Sequence, residues 1–207
     1  MKKIDEFWYP DTEERLHRGH ARYSDIEEFI LPHVRQRRTC IHAGGGAGTW
    51  TREYTKYFEY VYTAEPNPEL RECIHANSYE GNYALLEGGF WNRAAYGRLV
   101  EYQPDNMGAW YIQEDPTGSI PLFTIDSLDA EEVDLIQLDV EGAEIECLQG
   151  AKETILRDRP VVVLEVKETT QKFYGRSVDD LRKAIHGLKY RQEAKFGRDE
   201  LWVPQES

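Results

Sequence analysis

Three groups of residues carry chemistry by type and spacing. Gly44, Gly46 and Gly48 recur at every second position between a short apolar run ending at Ala43 and a helical stretch opening at Thr49. Glu65 follows the next apolar run, in Glu65-Pro66-Asn67-Pro68. Asp139, Glu141 and Glu144 stand in Leu138-Asp139-Val140-Glu141-Gly142-Ala143-Glu144, and Glu165 closes a later apolar run. Glycines let the backbone bend at positive φ and let a ligand approach the main chain. A dinucleotide site takes G-x-G-x-x-G, which counted from Gly44 asks for glycine where the chain has Thr49. The spacing therefore argues against a dinucleotide and leaves room for a smaller adenosine cofactor without a pyrophosphate. A carboxylate at a strand end, as Glu65 is, can accept hydrogen bonds from both ribose hydroxyls, and charged acceptors make the stronger bonds.

Those residues need a scaffold, and the pattern around them supplies it. Thr39 to Ala43, Tyr60 to Ala64, Tyr83 to Leu86, Val133 to Leu138 and Val161 to Val166 read as strands. Thr49 to Phe58, Pro68 to Asn77, Ala143 to Leu156 and Val178 to Leu188 read as helices. This alternation predicts an α/β fold with a mostly parallel central sheet and helices on both faces. Val161-Val162-Val163-Leu164 is apolar without a break, as in a strand covered on both sides. Tyr190 to Phe196 and Glu200 to Val203 flank Gly197-Arg198-Asp199 and read as a C-terminal antiparallel hairpin closing one sheet edge. Gly88 to Leu122 fits the alternation least and predicts short strands and loops over the cleft mouth.

Ser24 to Val34 reads as a helix, with Ser24 and Glu27 in capping-box spacing and Pro32 kinking or ending it. Residues 1 to 23 show no clear period. The chain thus divides into an N-terminal helical extension, 1–37, and one main domain, 38–207. Three roles are open to the extension: a cap over the active site, a homodimer contact, or a cover for the sheet.

The 38 acidic residues against 25 basic ones give a net charge of −13. That balance repels polyanions, so nucleic acid is not the expected partner. Cys40, Cys73 and Cys147 are odd in number and lack a C-x-x-C spacing, which suggests neither a disulfide framework nor zinc and fits a reducing cytoplasm. No secretory leader pattern opens the chain, and no apolar run reaches about eighteen residues, so no membrane partner is expected.

His42-Ala43-Gly44-Gly45-Gly46-Ala47-Gly48 and Val61 to Pro68 followed by Asn77 form two distinctive segments. The third joins Thr124-Ile125-Asp126-Ser127-Leu128, Val133 to Gly150 and Val161 to Glu165. Together they resemble the FkbM family of S-adenosylmethionine-dependent methyltransferases, within the class I Rossmann-like group. The likeness spans about residues 38 to 204, and Asp139 to Glu144 is its most specific part. It implies methyl transfer to an oxygen, usually a hydroxyl on a sugar, polyketide or other small metabolite. It also implies that Gly44, Gly46 and Gly48 flank the methionine part of the cofactor, with His42 beside them. Glu65, with Pro66, would hold the ribose, and Leu86, Glu87 and Gly88 would border the adenine. Asp139 and Glu141 would lie near the sulfonium and the acceptor. In two places the chain departs from the family: His42 stands where an acidic residue is common, and Gln137 where lysine is usual.

A neutral hydroxyl is a weak nucleophile and gains from a base within hydrogen-bond reach. Asp139 is the expected base or orienter, with Glu141 and Glu165 as further candidates. For Glu141 and Glu144 the competing role is a favourable interaction with the N-terminus of the following helix. Oxygens from Asp139, Glu141 or Asp126 would suit Mg²⁺, but the preferred reading holds no metal. Trp91, Trp110 and Tyr111 offer flat apolar faces to a small-molecule hydroxyl acceptor, against plain packing under loops. A nucleic-acid amino-methyltransferase would show a D/N-P-P-Y/F motif after the fourth strand, where this chain has Asp139-Val140-Glu141-Gly142. A non-catalytic cofactor-binding module with a partner or regulatory role is the alternative that His42 and Gln137 leave open.

Overall fold

Valine, isoleucine and leucine dominate Val133–Leu138 and Val161–Glu165, two central strands of the computed structural model, which describes residues 1–12, 15, 26–77, 81–103 and 106–205. In chain order the elements begin with β1 (Lys2–Ile4), β2 (Phe7–Tyr9), β3 (Thr39–Ala43), α1 (Thr49–Tyr54), β4 (Tyr60–Ala64), α2 (Pro68–Asn77) and β5 (Tyr83–Leu86). Four short strands follow: β6 (Gly89–Phe90), β7 (Ala95–Val100), β8 (Tyr111–Glu114) and β9 (Ile120–Phe123). The rest comprises β10 (Val133–Leu138), α3 (Glu144–Gly150), α4 (Lys152–Asp158), β11 (Val161–Glu165), α5 (Glu168–Gln171), α6 (Val178–Gly187), β12 (Tyr190–Phe196) and β13 (Asp199–Pro204).

Seven strands form the main sheet in the order β12-β13-β11-β10-β3-β4-β5. β11, β10, β3, β4 and β5 are mutually parallel, and the β12–β13 hairpin runs antiparallel along the β11 edge, as the sequence predicts. Side chains alternate across a strand, and β11 shows why its run is apolar throughout. Val162 and Leu164 pack with Ile145, Leu148, Ile155, Leu181 and Ile185 of the helices on one face. Val161 and Val163 pack on the other with Tyr54, Phe58, Ile26, Ile30 and Leu31. The segment before β3 therefore covers the sheet.

Among its described residues the N-terminal extension is helical only over Ile26–His33. Residues 1–12 begin with the β1–β2 hairpin, and Ile26–Ile30 is a wide π-helical turn that tightens into a 3₁₀ turn at Leu31–His33. Ser24 lies outside the described residues. Three-residue strands do not stand alone, and this hairpin is held by Asn77 of α2. The Asn77 side chain accepts from the Trp8 N–H and donates to the carbonyls of Trp8 and Ala47, each at 2.8 Å. That clamp joins the hairpin, α2 and the glycine turn.

The single helix expected over Ala143 to Leu156 is two, parted at Ala151. Both Asp126 oxygens accept backbone N–H groups at the start of α4, from Glu153 (3.0 Å) and Thr154 (2.8 Å). A carboxylate capping those otherwise orphaned donors starts a new helix. The four short strands between Gly89 and Phe123 form a second sheet, β6-β9-β7-β8, beside the C-terminal ends of the parallel strands. Among the described residues no helix is long and apolar enough to cross a membrane.

Candidate active site

The C-terminal ends of parallel strands are where ligands bind in open α/β sheets. Here the ends of β3, β4 and β10 bound a cavity of about 210 Å³. Its floor is Gly44 to Ala47, Glu65 to Asn67 and Asp139 to Glu141. The four-stranded sheet and its loops supply the opposite wall through Phe90, Leu99, Met107, Trp110 and Ile112.

The glycine turn is shaped by close approach. Gly44 has φ +87°, and a Cβ built on it would lie 1.8 Å from the Asp139 carbonyl oxygen. Gly46, at φ +54°, has open space where a Cβ would be. Gly48 opens α1 against Ile74 and does not line the cavity. We expect Gly44→Ala to force the ends of β3 and β10 apart. It should cost on the order of 3 kcal/mol of stability and remove ligand binding; a denaturant midpoint and affinity equal to wild type would contradict this packing.

Glu65 is buried and ties that turn to β4. Its Oε2 accepts from the Gly46 N–H at 2.7 Å and its Oε1 from the Asn67 N–H at 2.8 Å. Burial pushes its carboxyl up to about 7, although both backbone donors and Arg71 oppose the shift. Asn67 Oδ1 accepts from the Glu69 N–H at 3.0 Å and so caps α2, whose first residue is Pro68. The Asn67 Nδ2 group is buried in the cavity wall without an acceptor.

Asp139 lies on the cavity floor, walled by protein yet with surface open to the cavity. Its carboxylate makes no hydrogen bond or ion pair with any described residue. Withdrawal from bulk water holds its carboxyl well above the usual range, reinforced by Glu165 and Glu141. Glu141 is strained, with φ +52°, and its carboxyl is raised by burial and by Glu165. Lys167 Nζ donates to both Glu141 oxygens, at 2.9 and 2.8 Å, and stands 3.0 Å from Glu165 Oε2 as an ion pair without hydrogen-bond geometry. Asp126, engaged in capping α4, does not join this group.

Glu144 has a role that its position near a helix start did not disclose. Fully buried, its carboxylate accepts from the N–H groups of Val140 (3.3 Å) and Gly142 (3.2 Å) and from Gln171 Nε2 (2.5 Å). It therefore holds the loop that presents Glu141. Glu144→Ala leaves three donors unpaired, and we expect a stability loss of about 3 kcal/mol together with lost turnover. Unchanged thermal unfolding of this variant would remove that role.

Of the residues chosen from sequence, Gly44, Gly46, Glu65, Pro66, Asp139, Glu141 and Trp110 share the cavity. Glu165 stands behind Glu141, joined to it through Lys167. Leu86, Glu87 and Gly88 do not line it: the Leu86 carbonyl accepts from the Glu65 N–H, and Glu87 faces Arg71. The wall there is Gly89 and Phe90. Trp91 is buried with Nε1 on Glu114, and Tyr111 stacks on Phe173, both outside the cavity wall.

His42 and Gln137 are cross-strand neighbours of β3 and β10, buried behind the floor. His42 Nδ1 is 3.3 Å from Thr51 Oγ1, and the Tyr54 hydroxyl donates to Gln137 Oε1. Burial lowers the imidazole to about 4, so His42 is neutral. Neither side chain faces the cavity.

Asn67 and Lys167 were missed, although each had a signal. Asn67 precedes a proline at a helix start, and Lys167 follows the strand-end Glu165 by one strand repeat. Phe90, Leu99, Met107 and Ile112 had none beyond lying in the segment expected over the cleft.

The family model of the methyltransferase FkbM domain matches residues 42–192. None of the curated proteins matches the chain. Among solved structures, the methyltransferase FkbM of Methylobacillus flagellatus KT is similar, with TM-score 0.58 and 17% identity over 87% of this chain and 47% of that one. The chain thus spans about half of that protein's length. The magnesium protoporphyrin IX methyltransferase of Synechocystis PCC 6803, solved with bound S-adenosylmethionine, gives 0.53 at 9% identity over 90% of this chain and 79% of that one. The precorrin-6y C5,15-methyltransferase of Geobacter metallireducens GS-15 gives 0.51 at 13%, over 97% and 96%. At these identities the structures establish the class I methyltransferase fold. The family match spans most of the chain and takes in the glycine turn, Glu65 and the Asp139 loop, so the chain belongs to the FkbM methyltransferase domain family, whose methyl donor is S-adenosylmethionine.

Proposed function

We propose that this protein transfers a methyl group to a hydroxyl oxygen of a small metabolite, such as a sugar. The observation that carries the reading is Asp139: on the cavity floor it is a carboxylate left unpaired, while Glu141 and Glu165 are held by Lys167. The residues present fit the cofactor. The glycine turn brings backbone to the floor, Glu65 offers remaining lone pairs to a ribose, and the buried Asn67 Nδ2 awaits an acceptor. S-adenosylmethionine supplies an electrophilic methyl group on sulfur. The chain aligns the acceptor with it and excludes water, which is the main requirement of an in-line displacement. Asp139 takes the hydroxyl proton, and its raised carboxyl makes it a better base than an ordinary aspartate.

Phe90, Leu99, Met107, Trp110 and Ile112 give the acceptor side an apolar wall suited to a flat or aliphatic face. The net charge of −13 favours a small molecule over a nucleic acid. Cys40, Cys73 and Cys147 are all buried and unpaired, which supports action in the cytoplasm. His42 and Gln137 lie behind the floor and not in its lining, which supports the catalytic reading over a non-catalytic module. Calorimetric titration with S-adenosylmethionine and S-adenosylhomocysteine, followed by label transfer to a panel of hydroxylated acceptors, tests the proposal. Micromolar binding and an O-methyl product are expected; binding without turnover on any acceptor, or a methyl group found on nitrogen or carbon, would overturn it.

A further inference from the structure

The cation among the carboxylates of this site belongs to the chain itself. Asp139, Glu141 and Glu165 each bring a carboxylate oxygen within 4.8 Å of the others. In a cleft of low dielectric such charges repel strongly. The Lys167 ammonium stands among them, on both oxygens of Glu141 and on Oε2 of Glu165, with its side chain only 17% exposed. Local structure explains how it gets there. Lys167 is still extended, at φ −134° and ψ 113°, so strand alternation persists past β11 and sends Glu165 and Lys167 to the same side.

Two more charged groups act on the cluster from the β12–β13 hairpin: Arg198 favours ionised Glu141, and Asp199 works against ionised Asp139. Burial works to discharge the lysine, but Glu165, Glu141 and Asp139 outweigh it and keep the ammonium charged. Asp139 makes no ion pair with it.

We propose that Lys167 is a positioning residue that does the work of a bound divalent cation: its ammonium draws Glu141 and Glu165 together and leaves Asp139 as the carboxylate of the three free to accept a proton. This rests on Asp139 being the base. Without the ammonium, three crowded carboxylates would have to share protons, and Asp139 would be protonated over more of the working pH range.

The test reads the free protein and needs no acceptor. Carbon-detected NMR titration follows the Asp139 carboxyl, identified by its loss in Asp139→Asn. Lys167→Met, which keeps the aliphatic stem and loses the charge, should move that titration upward by about one pH unit or more. Lys167→Arg should return it to the wild-type position, and Lys167→Gln replaces the methionine variant if that fails to fold. Mn²⁺ added to the wild type should leave the three carboxyl signals sharp, because the ammonium fills their shared space. An unmoved Asp139 titration in the neutral variant, or Mn²⁺ bound at the three carboxylates of the wild type, overturns the proposal. A shifted titration in a protein that methylates no acceptor would sink the proposed function and leave the assignment of Lys167 standing.

Discussion

Asp139→Asn should lower kcat by roughly 10²- to 10⁴-fold, the range expected for losing a positioned general base, while affinity for S-adenosylhomocysteine should stay within a few-fold of wild type. The amide has the same shape, and the backbone bond from Asp139 N–H to the Ala43 carbonyl is untouched, so the end of β10 stays in place. What is lost is the ability to take a proton. In the wild type, activity should fall as the pH drops through the Asp139 titration, because only the ionised form is a base. Since desolvation at the cavity floor and then Glu165 and Glu141 raise that carboxyl, this acid limb should lie above the ordinary carboxylate range. The limb should vanish in the variant.

A second signature separates this from general damage. Asp139 binds its proton more tightly folded than unfolded, so at pH values above its unfolded titration its ionisation costs stability. Asp139→Asn removes that cost, and the variant should melt above the wild type near neutral pH. Loss of activity with a gain in stability marks a residue kept for function. Normal turnover, or a lower melting temperature at neutral pH, would remove Asp139 from the mechanism or the crowding account respectively.

Glu65→Ala should weaken S-adenosylhomocysteine binding by about 100-fold, as expected when charge-assisted hydrogen bonds are lost. The side chain also serves the fold, since its two oxygens order the N–H groups of Gly46 and Asn67. Glu65→Gln should bind almost as poorly, because an amide must turn its own NH₂ toward one of those donors. The pH dependence has a definite sign. The folded carboxyl sits near about 7 against an ordinary 4.5. Between those values the folded chain binds more protons than the unfolded chain, so this group's contribution to stability falls as pH rises. Ribose hydroxyls donate to the ionised form, so affinity should instead rise with pH, by about tenfold from one unit below the folded value to one unit above it. Calorimetry across that range checks it; flat affinity, or full binding by Glu65→Ala, would move the ribose elsewhere.

The sequence disclosed those elements whose stability is local or whose burial is uniform. β11 was legible because a strand covered on both faces is apolar along its run, β3, β4 and β10 because short β-rich runs alternate with helical stretches, and Glu65 and Asp139 because they stand where such runs stop. The split between α3 and α4 was hidden: the cap that divides them comes from Asp126, distant in sequence. The β1–β2 hairpin was hidden for a similar reason, its short strands depending on Asn77. Leu86 to Gly88 were placed near the adenine by motif, and the cavity wall next to them in the chain is Gly89 and Phe90.

By itself, then, the sequence determined the parallel α/β scaffold, the family, the glycine turn and the acidic loop, since these follow from the period and order of residues close together in the chain. Only the tertiary structure decided that His42 and Gln137 pair behind the floor, that Glu144 holds the loop, and that Lys167 occupies the centre of the carboxylates. Those outcomes depend on which side chains from separate strands and helices meet, and on the charges that burial forces them to share.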